Sequence, residues 1–180
     1  MVFDTLSADD IVVRKLDRPP PAGFDCGHPE QNAYLYDHAW NDQQENIAIT
    51  YCYYIDGTLA AYATVLMDGV SLAFRERGSR IRYETVGATK LAQMGVDRRF
   101  QGRRLGGRIL ADVAGMAGEL SNRLGCRYVT VDARPGLEPW YERYSFRRNK
   151  LMQQRRIRFA VEKNRDPGGL GTSMRYDIRD

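Results

Sequence analysis

The chain has 180 residues, of which 43% are hydrophobic and 28% charged, with a formal charge of +4 and a pI near 9.0. That length and balance suit one globular domain, 1–180, with a real core. No apolar run approaches the ~20 residues of a membrane helix, and the acidic start MVFDTLSADD lacks a signal-peptide layout, so neither a membrane nor a secretory role is expected and cytoplasm is the default compartment. Cys26, Cys52 and Cys126 are far apart and form no pair of metal-ligand type, so they read as small buried side chains. No HExxH and no Cys/His cluster is present, and no metal is expected.

In chain order, IVVRKL (11–16) reads as a strand and the Pro/Gly-rich 18–27 as a connection. Pro29 suits the first turn of a helix over 29–44, with Leu35, Tyr36 and Ala39 on one face. IAITYCYYI (47–55) and TLAAYATVLM (58–67) are β-rich runs joined by Asp56–Gly57, a hairpin signal. Residues 68–86 have no clear pattern. KLAQMGVD (90–97) reads as the next strand. A helix over 108–124 follows, with apolar residues at 109, 113, 116, 117, 120 and 124, and Gly125 where a C-cap would fall. RYVTVDA (127–133) is a strand and LEPWYERY (137–144) a short helix. The rest is a basic segment through 165, a DPGGLG turn (166–171) and a last strand in SMRYDIR (173–179). Strands alternating with helices argue an α/β or α+β sheet domain.

Charge distribution says more than net charge. Of the 27 cationic residues 23 are arginine, crowded into 98–108 and 143–165. The planar guanidinium suits bidentate contact with phosphate; from composition alone a solvated basic face serves equally. The stretch RRFQGRRLGGR (98–108) adds Gly102, Gly106 and Gly107 at a strand-to-helix turn. A helix N-terminus offers unpaired N–H groups and a partial positive charge, and glycine lets phosphate approach the backbone. The alternative is a plain glycine-bearing helix start with surface arginines. Neither GxxxxGK[ST] nor GxGxxG is present, which argues against a P-loop or a Rossmann fold.

VDRRFQGRRLGGRIL resembles motif A (Q/R-x-x-G-x-G/A) of the GNAT superfamily of acyl-CoA-dependent N-acyltransferases, with Arg99, Gly102 and Arg104 at its three defined places. Arg104 departs from the usual Gly or Ala, and a first-turn side chain pointing away from the phosphates would be tolerated. PWYERYSF (139–146) is similar to the family's (F/W)-Y-E-x-x-G-F signature, with Ser145 in place of glycine. GFDCGHPEQNAYLYDHAWNDQQ (23–44) resembles the start of toxin–antitoxin type members, which acetylate aminoacyl-tRNA; Phe24, Asp25, Cys26, Gly27, Asn32, Leu35, Ala39 and Gln43 fall in place.

The resemblance implies a mixed, mostly antiparallel sheet of six to seven strands flanked by helices, with central strands splayed by a β-bulge near Gly95. It implies acetyl-CoA as cofactor, held by Met94, Gly95, Val96, Arg99, Gln101, Gly102, Arg103, Arg104, Leu105, Gly106 and Gly107, with 102–107 on the pyrophosphate and Met94 and Val96 on pantetheine. It implies Tyr141 as the acid that protonates the leaving thiolate. Packing among Trp140, Tyr141 and Phe146 would be the role of Tyr141 without such chemistry. An aminoacyl-tRNA acceptor would call on Arg98 or Arg108, with Arg147, Arg148, Arg155, Arg156 and Arg158, as a track for phosphates. The segment 147–158 could equally be the cationic face of an exposed strand pair. A small antitoxin and a homodimer are the protein partners implied. Glu84 is a weak candidate base, better read as an exposed carboxylate. Two other readings stay open: transfer to a small amine, peptide N-terminus or lysine, and a non-catalytic acyl-CoA-binding module.

Overall fold

The computed structural model describes residues 11–77 and 79–180, so the acidic stretch 1–10 discussed above lies outside the described residues. Strands β1 (Ile11–Lys15), β2 (Ile49–Ile55), β3 (Thr58–Ser71), β4 (Thr85–Val96), β5 (Tyr128–Ala133), β6 (Arg147–Arg148) and β7 (Thr172–Asp177) form one sheet in the order β1-β2-β3-β4-β5-β7-β6. The pairs β1–β2, β2–β3, β5–β7 and β6–β7 are antiparallel. Helices α1 (Pro29–Ala33), α2 (Ala39–Gln44), α3 (Phe74–Arg77), α4 (Leu105–Ser121), α5 (Glu138–Glu142) and α6 (Lys150–Glu162) flank it. This is the mixed, mostly antiparallel architecture expected from the sequence.

The chain divides into two compact units. The first comprises Met1–Leu66 and Leu91–Asp112. Its hairpin turns at Asp56 (φ 48°) and Gly57 (φ 73°), the two left-handed residues of a tight two-residue turn. Its core joins Leu16, Phe24, Cys26, Leu35, Ala39, Cys52, Leu59 and Tyr62. The helix expected over 29–44 is α1 and α2 joined by a π turn at Tyr34–His38. The π turn shifts the helical phase, so Leu35 and Ala39 are buried while Tyr36 is exposed. Tyr36 instead uses its hydroxyl, donating to Phe24 O (3.1 Å) and accepting from Phe24 N (2.8 Å). Buried Gln43 joins β1 to β2 by donating to Leu16 O and accepting from Thr50 N.

The second unit comprises Met67–Lys90 and Val113–Asp180. It shows three departures from the sequence reading. The unplaced 68–86 contains the end of β3, helix α3 and the start of β4, with Leu72 N donating to Glu84 O (2.8 Å) to close the excursion at its base. Helix α4 starts at Leu105 and stops at Ser121, so Leu124 is exposed and Gly125 is not its C-cap. The basic segment after 149 is helix α6 rather than a strand pair. Its start is capped by a carboxylate distant in sequence: Glu76 accepts from Lys150 N (3.0 Å) and Leu151 N (3.4 Å) and pairs with Arg175 at 3.1 Å. A carboxylate at a helix N-terminus answers both the orphan N–H groups and the dipole. Asn149, fully buried, accepts from Arg175 (2.6 Å) and donates to Ser173 Oγ (3.1 Å).

Candidate active site

In the first unit β4 runs into a 3-10 turn at Arg98–Phe100, and α4 opens at Leu105. Gly95 on β4 must be glycine, because a Cβ there would lie 2.8 Å from the Tyr62 ring and 3.2 Å from Phe24 and Cys26. Close packing is therefore what this structure shows at Gly95; the β2–β3 pair has a register shift of its own, between Tyr53 and Tyr54. Met94 and Val96 flank Gly95 on the same strand, both partly exposed.

Between the 3-10 turn and α4, Gly102 has φ 79° and Arg104 φ 62°. Alternation of handedness turns successive N–H groups toward one side, a concave arrangement that receives anions. The space a Gly102 Cβ would take is open. Arg104 is not in the first helical turn, as expected, but immediately before it: its carbonyl accepts from Arg108 N (3.2 Å). Its left-handed backbone explains why this place usually takes glycine. Leu105 is buried, and Gly106 and Gly107 follow in the first turn with their backbone at the helix mouth.

The arginines here are largely committed within the fold. Arg99 makes a two-pronged contact to Asp97, Nε–Oδ1 2.8 Å and Nη2–Oδ2 2.8 Å. Arg98 lies 3.5 Å from Asp25, and Arg108 2.8 Å from Asp112. Arg103 stacks its guanidinium 5.3 Å from the Phe100 centroid. Gln101 is a staple, its amide donating to Cys26 O and Val96 O at 3.0 Å each.

Sequence reasoning missed Asp97 as the hub of this loop. Its carboxylate is 2% exposed and also accepts from Asp25 N (3.1 Å) and Arg99 N (2.9 Å). The Arg99 side chain, working against burial and helped by those N–H groups, lowers the Asp97 pKa to about 2. The FDCG segment is the other half of the latch. Asp25 Oδ1 accepts from Gly27 N (2.8 Å) and Asn32 Nδ2 (2.7 Å), and Asn32 Oδ1 accepts from Cys26 N (3.0 Å). The signal was present in the sequence, as a carboxylate at each end of the latch, but the pairing spans 72 residues.

In the second unit Tyr141 sits in α5, packed edge-on against Trp140 (4.8 Å) and Phe146 (5.5 Å). Burial pushes its pKa up to about 12, Arg134 works against that and Asp132 with it. The phenol is thus held protonated. Ser145, at the place where the signature has glycine, has φ 64°. Phe146 N then folds back to Tyr141 O (3.2 Å), closing the turn under the tyrosine.

Of the arginines assigned to an acceptor, Arg147 pairs with Asp180 (3.2 Å), Arg148 with Glu142 (3.1 Å), Arg155 with Glu84 (2.5 Å) and Arg156 with Asp132 (2.5 Å), while Arg158 is exposed on α6. Asp132 also holds Lys90 at 2.7 Å. Glu84 is an exposed ion-pair partner, in keeping with the structural reading given to it.

Comparison with known proteins bears on both segments. A search of curated proteins found no match. Solved structures match in fold. AtaT complexed with acetyl-methionyl-tRNAfMet is 16% identical, with TM-score 0.75 over 94% of this chain and 96% of that one. A tyrosine-to-phenylalanine mutant of KacT is 17% identical, with TM-score 0.74 over 94% and 96%. A similar AtaT mutant toxin, bound to the C-terminus of the antitoxin AtaR and acetyl-CoA, is 16% identical, with TM-score 0.70 over 95% of each chain. The model of the acetyltransferase (GNAT) family matches residues 12–146, a span that holds the latched turn, the start of α4 and Tyr141, and the chain accordingly belongs to that family and is an N-acetyltransferase.

Proposed function

We propose that the protein transfers an acetyl group from acetyl-CoA to the α-amine of aminoacyl-tRNA by direct attack in a ternary complex. The observation that carries the reading is Tyr141, a buried phenol set in α5 against Trp140 and Phe146, within a turn that a left-handed Ser145 closes.

The loop that opens α4 fits the donor. Gly102 leaves open space where a Cβ would stand, the N–H groups of 102–107 line the helix mouth, and Asp97 and Gln101 hold the loop from behind. In this reading the backbone of 102–107 receives the pyrophosphate, and β4 at Met94–Val96 receives pantetheine and the carbonyl oxygen through N–H groups. Arg103 and Arg104 add charge at the same turn. Arg99 acts indirectly, by fixing the loop through Asp97. Acetyl-CoA bound there supplies the acetyl group as a thioester. Tyr141 donates its proton to the departing sulfur, a thiolate with a pKa of roughly 8–9. An α-amine of pKa ~8 is partly neutral at pH 7, so no dedicated base is required to start the attack. The nitrogen sheds its proton to solvent as the amide forms, and the Tyr141 phenolate takes one back from solvent once the thiol has left.

The tRNA assignment draws on the fold shared with AtaT and KacT and on the arginine content of the second unit. An antitoxin partner is proposed on the same likeness, since AtaT is bound to the C-terminus of AtaR in one similar structure. Transfer of label from radioactive acetyl-CoA to bulk charged tRNA, with uncharged tRNA as control, tests the proposal. Label confined to the charged pool supports it; absence of label from protein shown to bind acetyl-CoA sends the acceptor to the small-amine or peptide class.

A further inference from the structure

The excursion between β3 and β4, described over 73–77 and 79–84, carries two of the most exposed aromatic rings in the described structure, Phe74 at 82% and Tyr83 at 77%. Arginines stand at 75, 77, 80 and 82 between them. Arg77 folds over one side of Phe74, 5.8 Å from its centroid, and donates to Arg82 O (3.2 Å). Arg75, Arg80 and Arg82 are exposed, and no carboxylate pairs with any of them among the described residues. The two acids of the segment are spent elsewhere, Glu76 on Arg175 and Glu84 on Arg155. Among the described residues, Arg147, Arg148, Arg155 and Arg156 are each compensated by a carboxylate; Arg75, Arg80 and Arg82 are not, and they stand beside open rings.

The excursion is also anchored, by Glu76 at the start of α6 and by the Leu72–Glu84 bond at its base. Two ion pairs from adjacent arginines lead from it to Asp132, which acts on Tyr141 through space. Glu84, next to Tyr83, holds Arg155; its neighbour Arg156 holds Asp132; and Asp132 acts electrostatically on Tyr141. Ile81 is packed into the core, so the exposed apolar surface of the excursion is aromatic rather than aliphatic. Rings for stacking, with unpaired guanidinium groups for phosphate set between them, are the chemistry that takes unpaired nucleotides, and that occupant matches the acceptor of the reading above.

We infer that Phe74, Arg75, Arg80, Arg82 and Tyr83 form a platform for the unpaired nucleotides at the 3′ end of the acceptor RNA, with Phe74 and Tyr83 stacking on bases and Arg75, Arg80 and Arg82 on the phosphates between them. This rests on the tRNA reading above and specifies how its single-stranded end is held.

The test is fluorescence anisotropy with 5′-labelled tRNA, intact or trimmed of its four unpaired 3′ nucleotides. Wild type binds the intact RNA more tightly. The double variant Phe74→Ala/Tyr83→Ala loses about 10-fold or more of its affinity for intact tRNA, and nothing for the trimmed RNA. Acetyl-CoA affinity and melting are unchanged, since both rings are solvent-exposed. The triple variant Arg75→Gln/Arg80→Gln/Arg82→Gln flattens the salt dependence on intact tRNA by about 2 in log–log slope, at ~0.7 per single-strand phosphate. Equal binding of the double variant and wild type to intact tRNA overturns the platform, as does an equal loss on both RNAs. A change in sedimentation of the double variant overturns it in favour of a protein interface. If wild type labels charged tRNA while the double variant binds normally, the platform falls and the tRNA reading stands; if wild type binds neither RNA, both fall.

Discussion

Replacing Asp97 by Asn tests whether the loop that opens α4 depends on one buried carboxylate. Asp97 is 2% exposed and accepts from the backbone of Arg99 and Asp25 and from Nε and Nη2 of Arg99. Its pKa falls from 3.8 to about 2 on folding. At about 1.4 kcal/mol per pH unit the folded state's preference for the carboxylate is worth about 2.5 kcal/mol. The Arg99 side chain is 57% exposed, and solvent screening brings the figure to about 1–2 kcal/mol. Because the folded value lies below the unfolded one, this contribution is complete above about pH 4 and is lost as pH falls toward 2. Asparagine keeps the shape but offers one acceptor oxygen and no charge, leaving Arg99 half-answered. We expect the variant to lose about 2 kcal/mol at pH 7, a fall of roughly 4–8 °C in Tm for a chain of this size. Denaturant titrations at pH 5 and pH 3 should show wild type losing stability and closing the gap on the variant. KM for acetyl-CoA should rise several-fold, with the acceptor's KM little changed. A variant that melts within about 1 °C of wild type, or that keeps the full acid-induced loss, refutes the reasoning.

Three further outcomes follow from the same geometry. Tyr141→Phe should lower kcat by about 10²–10⁴-fold with acetyl-CoA affinity intact by calorimetry; full activity would remove the tyrosine from proton transfer. Ser145→Gly should raise Tm by about 1–4 °C, because a left-handed residue with a Cβ costs roughly 1–2 kcal/mol and the added unfolded-state freedom returns part of it. Gly95→Ala should destabilise by about 1–3 kcal/mol in denaturant titration, since the new methyl would overlap the Tyr62 ring at 2.8 Å.

Local chemistry made much of the molecule legible in the sequence. Asp56–Gly57 marked the β2–β3 turn because few residue pairs take two left-handed conformations. Ile109, Val113 and Ala117 marked α4 by their period, and all three are fully buried. The glycine-bearing turn at 102–107 and the tyrosine of α5 carried the family in their spacing. Helix α6 was illegible because Ile157, Phe159 and Val161 alternate like a strand, yet all three are exposed; its helical state is set by the cap from Glu76 and by burial of Ala160. Charge pairing was illegible for a related reason. Arg155 finds Glu84 across 71 positions and Arg175 finds Glu76 across 99, and no window along the chain contains both partners. Residue type and spacing by themselves determined the family, the hairpin, the main helix and the identity of the acid candidate. Only the tertiary structure decided which arginines are neutralised and which stay open to a phosphate, because Coulomb attraction acts over a few ångströms of space and takes no account of distance along the chain.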